Sequence, residues 1–542
     1  MNRTIETIKT CSWLRASAGK YAVLAICGLL LGLCVSFSWG LVEWIALVPA
    51  LMIFFSLASD ERIPLRKIYM HGLVFNYAFS LVLFHWFFYM YPLEFTGVTP
   101  IAALAIVLFA TLGLALLQTL FGALAPVLLA IVSRGRVVRR YPFFQVIAMA
   151  SLWCVREWCQ TLTWTGVPWG RLALGQANMP IMLQTARWFG SYAVTFVIVL
   201  VSGCIAYALL HVKARRLCAL VGAGVFALHV AAGAGLLLAD ASRPADGTIT
   251  VAAIQGNIGS ADKWDTGSSE CYDVYFALTE EAAEKGADLI VWPETAVPIT
   301  LTDHPAYVSS LCELAREHEV ILLLGVFADG ENGEEYNAMC LIDETGTLRE
   351  QIYAKRHLVP FGEYVPLRWL IKIICPPLLQ ISQLSGDTTP GDEASVFDTA
   401  YGRFGSLICF DSIYEQLAYD SAREGAELLC ISTNDSWFFD SAAVHMHNAQ
   451  ARLRAIETGR YVVRAANTGV SSVITATGRE INRIDALEEG ILMAEVALRS
   501  DTTLYTCIGN VFVYDSLAAI LLLLIEQAVG AVKARACKNK KK

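Results

Sequence analysis

Two patterns of apolar spacing divide this chain. Through the first 240 residues, and again near the end, apolar positions run on without period and are broken only by short polar loops. Crossing a hydrocarbon core takes ~20 mostly apolar helical residues. Seven stretches meet that rule, near 21–38, 41–58, 71–91, 101–133, 143–160, 190–211 and 217–239, and an eighth lies near 508–532. The first has a long basic leader and further spans directly behind it, so it reads as a span rather than a cleaved signal peptide.

Between these blocks the apolar runs shorten and alternate with amphipathic segments. Thr248–Gln255, Asp288–Trp292, Val320–Phe327, Gly405–Cys409 and Glu427–Ser432 have the β-rich, fully apolar look of buried strands, while 268–286, 304–319, 413–425 and 445–458 have helical spacing. Asn337–Ile342 and Ser471–Thr475 lead through Glu344-Thr345-Gly346 and Ala476-Thr477-Gly478 into further segments, as hairpin strands do. A layered α/β domain follows. The expected organisation is an N-terminal membrane domain at 1–240, an α/β domain at 241–505 and a C-terminal span with a basic tail at 506–542.

Charge orients the spans. Arg62, Arg66 and Lys67 follow the second; Arg134, Arg136, Arg139 and Arg140 the fourth; Lys213, Arg215 and Arg216 the sixth; Lys533, Arg535 and the lysines from 538 on close the chain. The loop at 92–100 has neither Lys nor Arg. The positive-inside rule then makes the basic loops and both termini cytoplasmic, and seven spans put the α/β domain on the outer side. Within the spans, Glu157 is an ionisable group, a functional hypothesis by default; the safer expectation is that it pairs with Arg156 or Arg171.

Composition agrees with a membrane protein: 56% hydrophobic residues in a chain of 542, with mean hydropathy +0.50. Net charge is -8 with no basic stripe, which sets aside a nucleic-acid partner. Of the fifteen cysteines, Cys27, Cys34, Cys154 and Cys204 lie within apolar runs as small hydrophobes. Neither a Cys-x-x-Cys pair nor a Cys/His cluster stands at zinc spacing, so neither metal nor cofactor is expected, and the pairing of Cys271, Cys312, Cys340, Cys375 and Cys430 stays open. The stretch 367–379, with Arg368 and Lys372 among apolar residues and Pro376-Pro377 near its end, is either an interfacial arm or a core helix.

Three polar signatures interrupt the α/β block: Trp292-Pro293-Glu294, Lys355 within Tyr353 to Glu363, and Cys409 in Ile408-Cys409-Phe410-Asp411. The first and last follow apolar runs, which places reactive groups at the ends of buried strands. A thiol attacks as thiolate and needs a base and a positive neighbour. Glu294 can take the proton, Lys355 can lower the thiol's pKa and donate to an oxyanion, and Glu363 can hold Lys355 charged. Together they can run acyl transfer.

At these residues the chain resembles the nitrilase superfamily, whose Glu-Lys-Cys triad lies in this order on an αββα sandwich. With the spans around it, it resembles the membrane-embedded branch of that superfamily, the bacterial apolipoprotein N-acyltransferases. Thr165-Gly166-Val167-Pro168-Trp169, Gln255-Gly256-Asn257-Ile258 with Lys263-Trp264, Asn434-Asp435-Ser436-Trp437-Phe438 and Ala451 to Arg460 extend the likeness over nearly the whole chain.

The resemblance implies Glu294 as general base, Lys355 as oxyanion stabiliser, Cys409 as acylated nucleophile and Glu363 as an essential fourth group, with Asp411 supporting. Trp264, Trp437 and His447 would touch substrate, whereas Trp169 is expected to pack in the core. It implies a ping-pong reaction at the bacterial inner membrane, with the catalytic domain in the periplasm. A phospholipid, typically phosphatidylethanolamine, acylates Cys409, and the chain passes to the α-amino group of the N-terminal diacylglyceryl-cysteine of an apolipoprotein.

Two departures stand out: Asp411 replaces the family's Glu, and Phe439 to His447 stand where the family tends to have Gly and then Gly-Pro before a Gln-His pair, with His447 in register with that His. A membrane-anchored amidase, a non-catalytic assembly factor and a transporter are the competing readings. Eight spans disfavour the first, the intact triad the second, and the scarcity of ionisable groups in the spans the third.

Overall fold

The computed structural model describes residues 17–93, 98–259, 263, 268–330, 333–374, 376, 379 and 387–539. Trp264 and Cys375 lie outside them. The chain divides into two compact units. One gathers the residues up to His85, Leu108–Leu238 and those from Asn510 on; the other takes Trp86–Val107 and Ala239–Gly509.

The first unit is helical. Among the described residues six helices are long and apolar enough to cross a membrane: Ser17–Ser36, Val42–Ser59, Pro100–Ser133, Ser191–Leu210, Val212–Ala241 and Val511–Lys533. The two other expected spans form the helices Leu65–Leu83 and Phe144–Cys159. Leu65–Leu83 carries Arg66, Lys67 and His71, and Phe144–Cys159 is only 16 residues long. Both are nonetheless built into the helical unit. A Cβ on Gly28 would sit 2.3 Å from the Phe75 carbonyl oxygen, so only glycine admits this approach of Ser17–Ser36 to Leu65–Leu83. Glu157 is fully buried and accepts hydrogen bonds from Leu172 N (3.0 Å), Thr195 Oγ1 (2.8 Å) and Trp153 Nε1 (3.2 Å). Trp169 is buried, as expected of a core residue.

In the second unit two six-stranded sheets stack face to face. The first has the order β12-β1-β2-β3-β4-β5, from β1 (Gly247–Gln255), β2 (Leu289–Val291), β3 (Ile321–Asp329), β4 (Glu335–Ile342), β5 (Leu348–Ala354) and β12 (Gly490–Leu498). The second has the order β11-β10-β9-β8-β7-β6, from β6 (Val396–Thr399), β7 (Gly402–Ile408), β8 (Leu428–Thr433), β9 (Tyr461–Ala466), β10 (Ser471–Ile474) and β11 (Glu480–Ile484). The central neighbours β1-β2-β3 and β7-β8-β9 run parallel, and the outer pairs run antiparallel.

The continuous apolar runs follow from burial on both faces. Along β3, Leu322, Leu324 and Val326 face helices Ser268–Glu284 and Pro305–His318, while Ile321 and Leu323 face the opposing sheet, where Phe404, Ile408, Leu428 and Val463 meet them. Helices Glu415–Arg423 and Ala442–Thr458 pack on the second sheet, completing an αββα sandwich. Strand β9 and the pairing of β12 with β1 are not foreseen from spacing.

The described part of 367–379 contains the helix Arg368–Ile374, whose Trp369 and Ile373 are 68% and 75% exposed. Exposure of its largest apolar side chains excludes a core helix within the chain. All described cysteines are free thiols.

Candidate active site

Strand ends deliver the reactive groups. β2 stops at Val291, and Trp292 continues onto β3 through its N–H to the Leu323 carbonyl (2.9 Å), while Ser432 Oγ of the other sheet donates to the Trp292 carbonyl (2.9 Å). Glu294 follows at once. Its segment presses so closely on β3 that a Cβ on Gly325 would lie 2.1 Å from the Pro293 carbonyl oxygen. Lys355 is the first residue past β5, held by its N–H on the Asn337 carbonyl (2.8 Å). Cys409 is the first residue past β7 and adopts φ +47°, a left-handed conformation uncommon outside glycine.

These turns bring the groups together. Lys355 Nζ donates to Glu294 Oε1 at 2.7 Å and pairs with Glu363 Oε2 at 2.8 Å. Asn337 Nδ2 donates to Glu294 Oε1 and Glu363 Oε1, each at 2.7 Å, and Asn434 N donates to Glu294 Oε2 at 2.9 Å. Glu363 also closes its own turn by accepting from Val359 N at 2.8 Å. Lys355 is 1% exposed and Glu294 6%, and Cys409 is half-buried.

Burial alone would raise Glu294. The Lys355 charge and the donors on its oxygens override it, and the carboxyl is held below its ordinary range. Burial works against the Lys355 ammonium too, but Glu294, Glu363 and Cys409 around it push its pKa well up. The Cys409 thiol is driven up by burial and by the Glu294 charge, with Lys355 opposing. At rest the site therefore holds a carboxylate, an ammonium and a neutral thiol.

Asp411, despite its shorter reach, ties two strand ends together. It accepts from His357 N (2.7 Å), Tyr353 OH (2.8 Å) and Ile408 N (3.3 Å), joining the segment after β5 to the turn of Cys409. Burial pushes its pKa up to about 6, against Lys355 and these donors.

The proposed substrate contacts fall differently. Trp437 is half-buried in the loop after β8, next to Phe438, whose ring meets Trp86 edge-on at 4.8 Å. His447 is 2% exposed, with Nδ1 2.8 Å from Asp435 Oδ1 and Nε2 3.0 Å from the Cys409 carbonyl oxygen. Arg464 braces Asp435 from behind at 2.6 Å. Cys409, Asp435 and His447 each place one potential metal-ligand atom within 4.8 Å of the others, but the His447 and Asp435 atoms already bond to protein groups.

Spacing missed Asn337, Asp435, Arg464 and Lys263. Asn337 stands just before the apolar run of β4 and gave no such signal, whereas Arg464 breaks the run of β9, and a lone polar residue inside a buried strand was the available signal. Lys263 is buried with Nζ 2.9 Å from Thr295 Oγ1, and burial lowers it to about 8 against the pull of Glu294.

Residues 250–503 match the carbon-nitrogen hydrolase family, and residues 10–204 match the apolipoprotein N-acyltransferase N-terminal domain. An apolipoprotein N-acyltransferase of Gloeobacter violaceus is 31% identical over 90% of this chain and 90% of its own length. That of Geobacter metallireducens is 32% identical over 69% of this chain and 72% of its own. A carbon-nitrogen hydrolase structure from Helicobacter pylori is 19% identical, with TM-score 0.36, covering 46% of this chain and 89% of that one.

Proposed function

Since this chain belongs to the apolipoprotein N-acyltransferase family, we propose that it acylates its acceptor in two half-reactions through a thioester on Cys409, with Glu294 and Lys355 as its partners. The observation that carries this reading is the buried ion pair of Lys355 with Glu294 at 2.7 Å, beside a thiol that burial keeps protonated.

In the first half-reaction Glu294 takes the thiol proton as Sγ attacks the ester carbonyl of a phospholipid. The Lys355 ammonium donates to the oxyanion that forms. As its charge turns toward that oxygen, it holds the Glu294 carboxylate less firmly, and the carboxylate becomes a better base at the moment it must accept a proton. Collapse of the intermediate breaks the ester bond, and the lysophospholipid alkoxide leaves with the proton from Glu294. In the second, the α-amino group of the acceptor attacks the thioester and loses a proton to Glu294. The C–S bond breaks, and Cys409 recovers its hydrogen.

The donor is a diacyl phospholipid, with phosphatidylethanolamine as the reference substrate, and the acceptor is the diacylglyceryl-cysteine of an apolipoprotein. Burial of an acyl chain contributes about 0.8 kcal/mol per CH₂, which lets the tail rather than the headgroup anchor the donor. The basic loops support a bacterial inner-membrane protein with the sandwich in the periplasm. The exposed Trp369 and Ile373 support contact of that domain with a lipid surface.

The test is intact-protein mass spectrometry after incubation with phosphatidylethanolamine. An added acyl mass, released by hydroxylamine and absent in Cys409→Ser, is expected. Folded wild-type protein that gains no mass overturns the thioester route.

A further inference from the structure

Cys409 is held in a backbone conformation that is costly outside glycine and persists only where its surroundings over-determine it. Besides Asp411 and Ser412 of the turn itself, those surroundings include one helix. His447, in Ala442–Thr458, directs Nε2 at the Cys409 carbonyl oxygen (3.0 Å), and Ser412 Oγ donates to the same oxygen (2.7 Å). Two turns further along, Arg454 Nη1 donates to the Ile413 carbonyl at 3.1 Å and reaches that of Ser412 at 3.4 Å. The helix thus grips the turn 409–413 at both ends.

The grip has its own support. Nε2 lies 3.0 Å from both the Cys409 carbonyl oxygen and Ser412 Oγ, so it meets the turn at two atoms. Nδ1 faces Asp435, whose carboxyl burial would raise but whose pKa His447 and Arg464 bring below its ordinary value. The imidazole bridges an anchored carboxylate and the nucleophile's backbone. With 2% of its surface exposed and both nitrogens engaged, it has no atom left to recognise substrate.

We infer that His447, backed by Asp435 and Arg464, is a positioning residue that aims the Cys409 thiol by fixing its carbonyl, rather than the substrate contact the family resemblance implies. The inference rests on Cys409 being the nucleophile.

His447→Gln and His447→Asn separate aiming from packing. Glutamine can extend an amide N–H to the Cys409 carbonyl; asparagine keeps a donor for Asp435 but stops short of Cys409. Single-turnover thioester formation is followed at several phosphatidylethanolamine concentrations in full-length protein, with thermal unfolding compared across variants and Cys409→Ser as control. His447→Asn is expected to lose ~10²-fold in maximal rate, the scale of a displaced reacting group. Its half-saturating lipid concentration should stay within about threefold of wild type. His447→Gln should keep its rate within about tenfold of wild type. Equal losses in the two variants, a wild-type rate in His447→Asn, or a loss confined to half-saturation overturns the inference. An active Cys409→Ser removes the nucleophile reading instead.

Discussion

Glu294 and Glu363 share one amide donor: Nδ2 of Asn337 stands 2.7 Å from an oxygen of each. Two buried carboxylates this close would repel, and the arrangement holds because Lys355 neutralises part of the charge while the amide spends both hydrogens on it.

Replacing that amide tests the balance. Asn337→Asp adds a third carboxylate and removes the donor, and transfer should fall by more than ~10²-fold. Asn337→Ser leaves room and one hydroxyl, and its loss should be about tenfold. Thioester formation in the two variants is the measurement, and equal activity in both would show that charge balance at Lys355 is unimportant.

The thiol offers an opposite-signed effect. Glu294 raises the Cys409 pKa, so Glu294→Gln should let the thiol ionise at lower pH while abolishing transfer. Alkylation of the Cys409 peptide by iodoacetamide, followed by mass against pH, should shift its midpoint downward. An unchanged or higher midpoint would mean that Glu294 does not act on the thiol through its charge.

Asp411 sets an acid limit. Its folded pKa of about 6 lies above the ordinary 3.8, so between those values the folded protein binds a proton that the unfolded chain does not. This group alone therefore favours the folded state as pH falls, and an activity loss through about pH 6 reports a weakened grip on His357 N and Ile408 N, not unfolding. Thioester formation should show that limb in wild type, and Asp411→Asn should be slow and flat across it. A limb that survives in Asp411→Asn belongs to another group.

Gly325 is a steric requirement. Gly325→Ala drives a Cβ into the Pro293 carbonyl and Ser432 Oγ, 2.1 and 2.6 Å away, and neither backbone nor strand can yield cheaply. A loss of about 1–3 kcal/mol is expected, the usual cost of overpacking. Denaturant unfolding of the purified protein reads it directly, and wild-type stability would mean that the Trp292-to-Glu294 segment relaxes freely.

What was legible in the sequence follows from what was buried twice. β1, β2, β3, β7 and β8 are covered on both faces, so their apolar runs stand out, and the side chains at their C-terminal ends stand out with them. β11, with Glu480 and Arg483 along it, is covered on neither side enough to leave a pattern. His447 was legible as a residue, but its contact with the Cys409 carbonyl is to a backbone oxygen, which no side-chain pattern encodes. The direction of the Glu294 shift was equally hidden: burial and Lys355 oppose each other, and only distance decides between them.

The pairing of β1 with β12 carries a consequence for how the domain is made. Gly247 lies opposite Leu498 and Gln255 opposite Gly490, so the first strand of the sandwich finds its outer neighbour only when the last has been synthesised. Until then one side of β1 is an open row of backbone donors and acceptors, the kind of edge that recruits strands from other chains. The slowest contact to close is thus at the boundary of the sheet that supplies Glu294 and Lys355. A truncation before residue 490 would leave the triad encoded in full and its sheet unsealed.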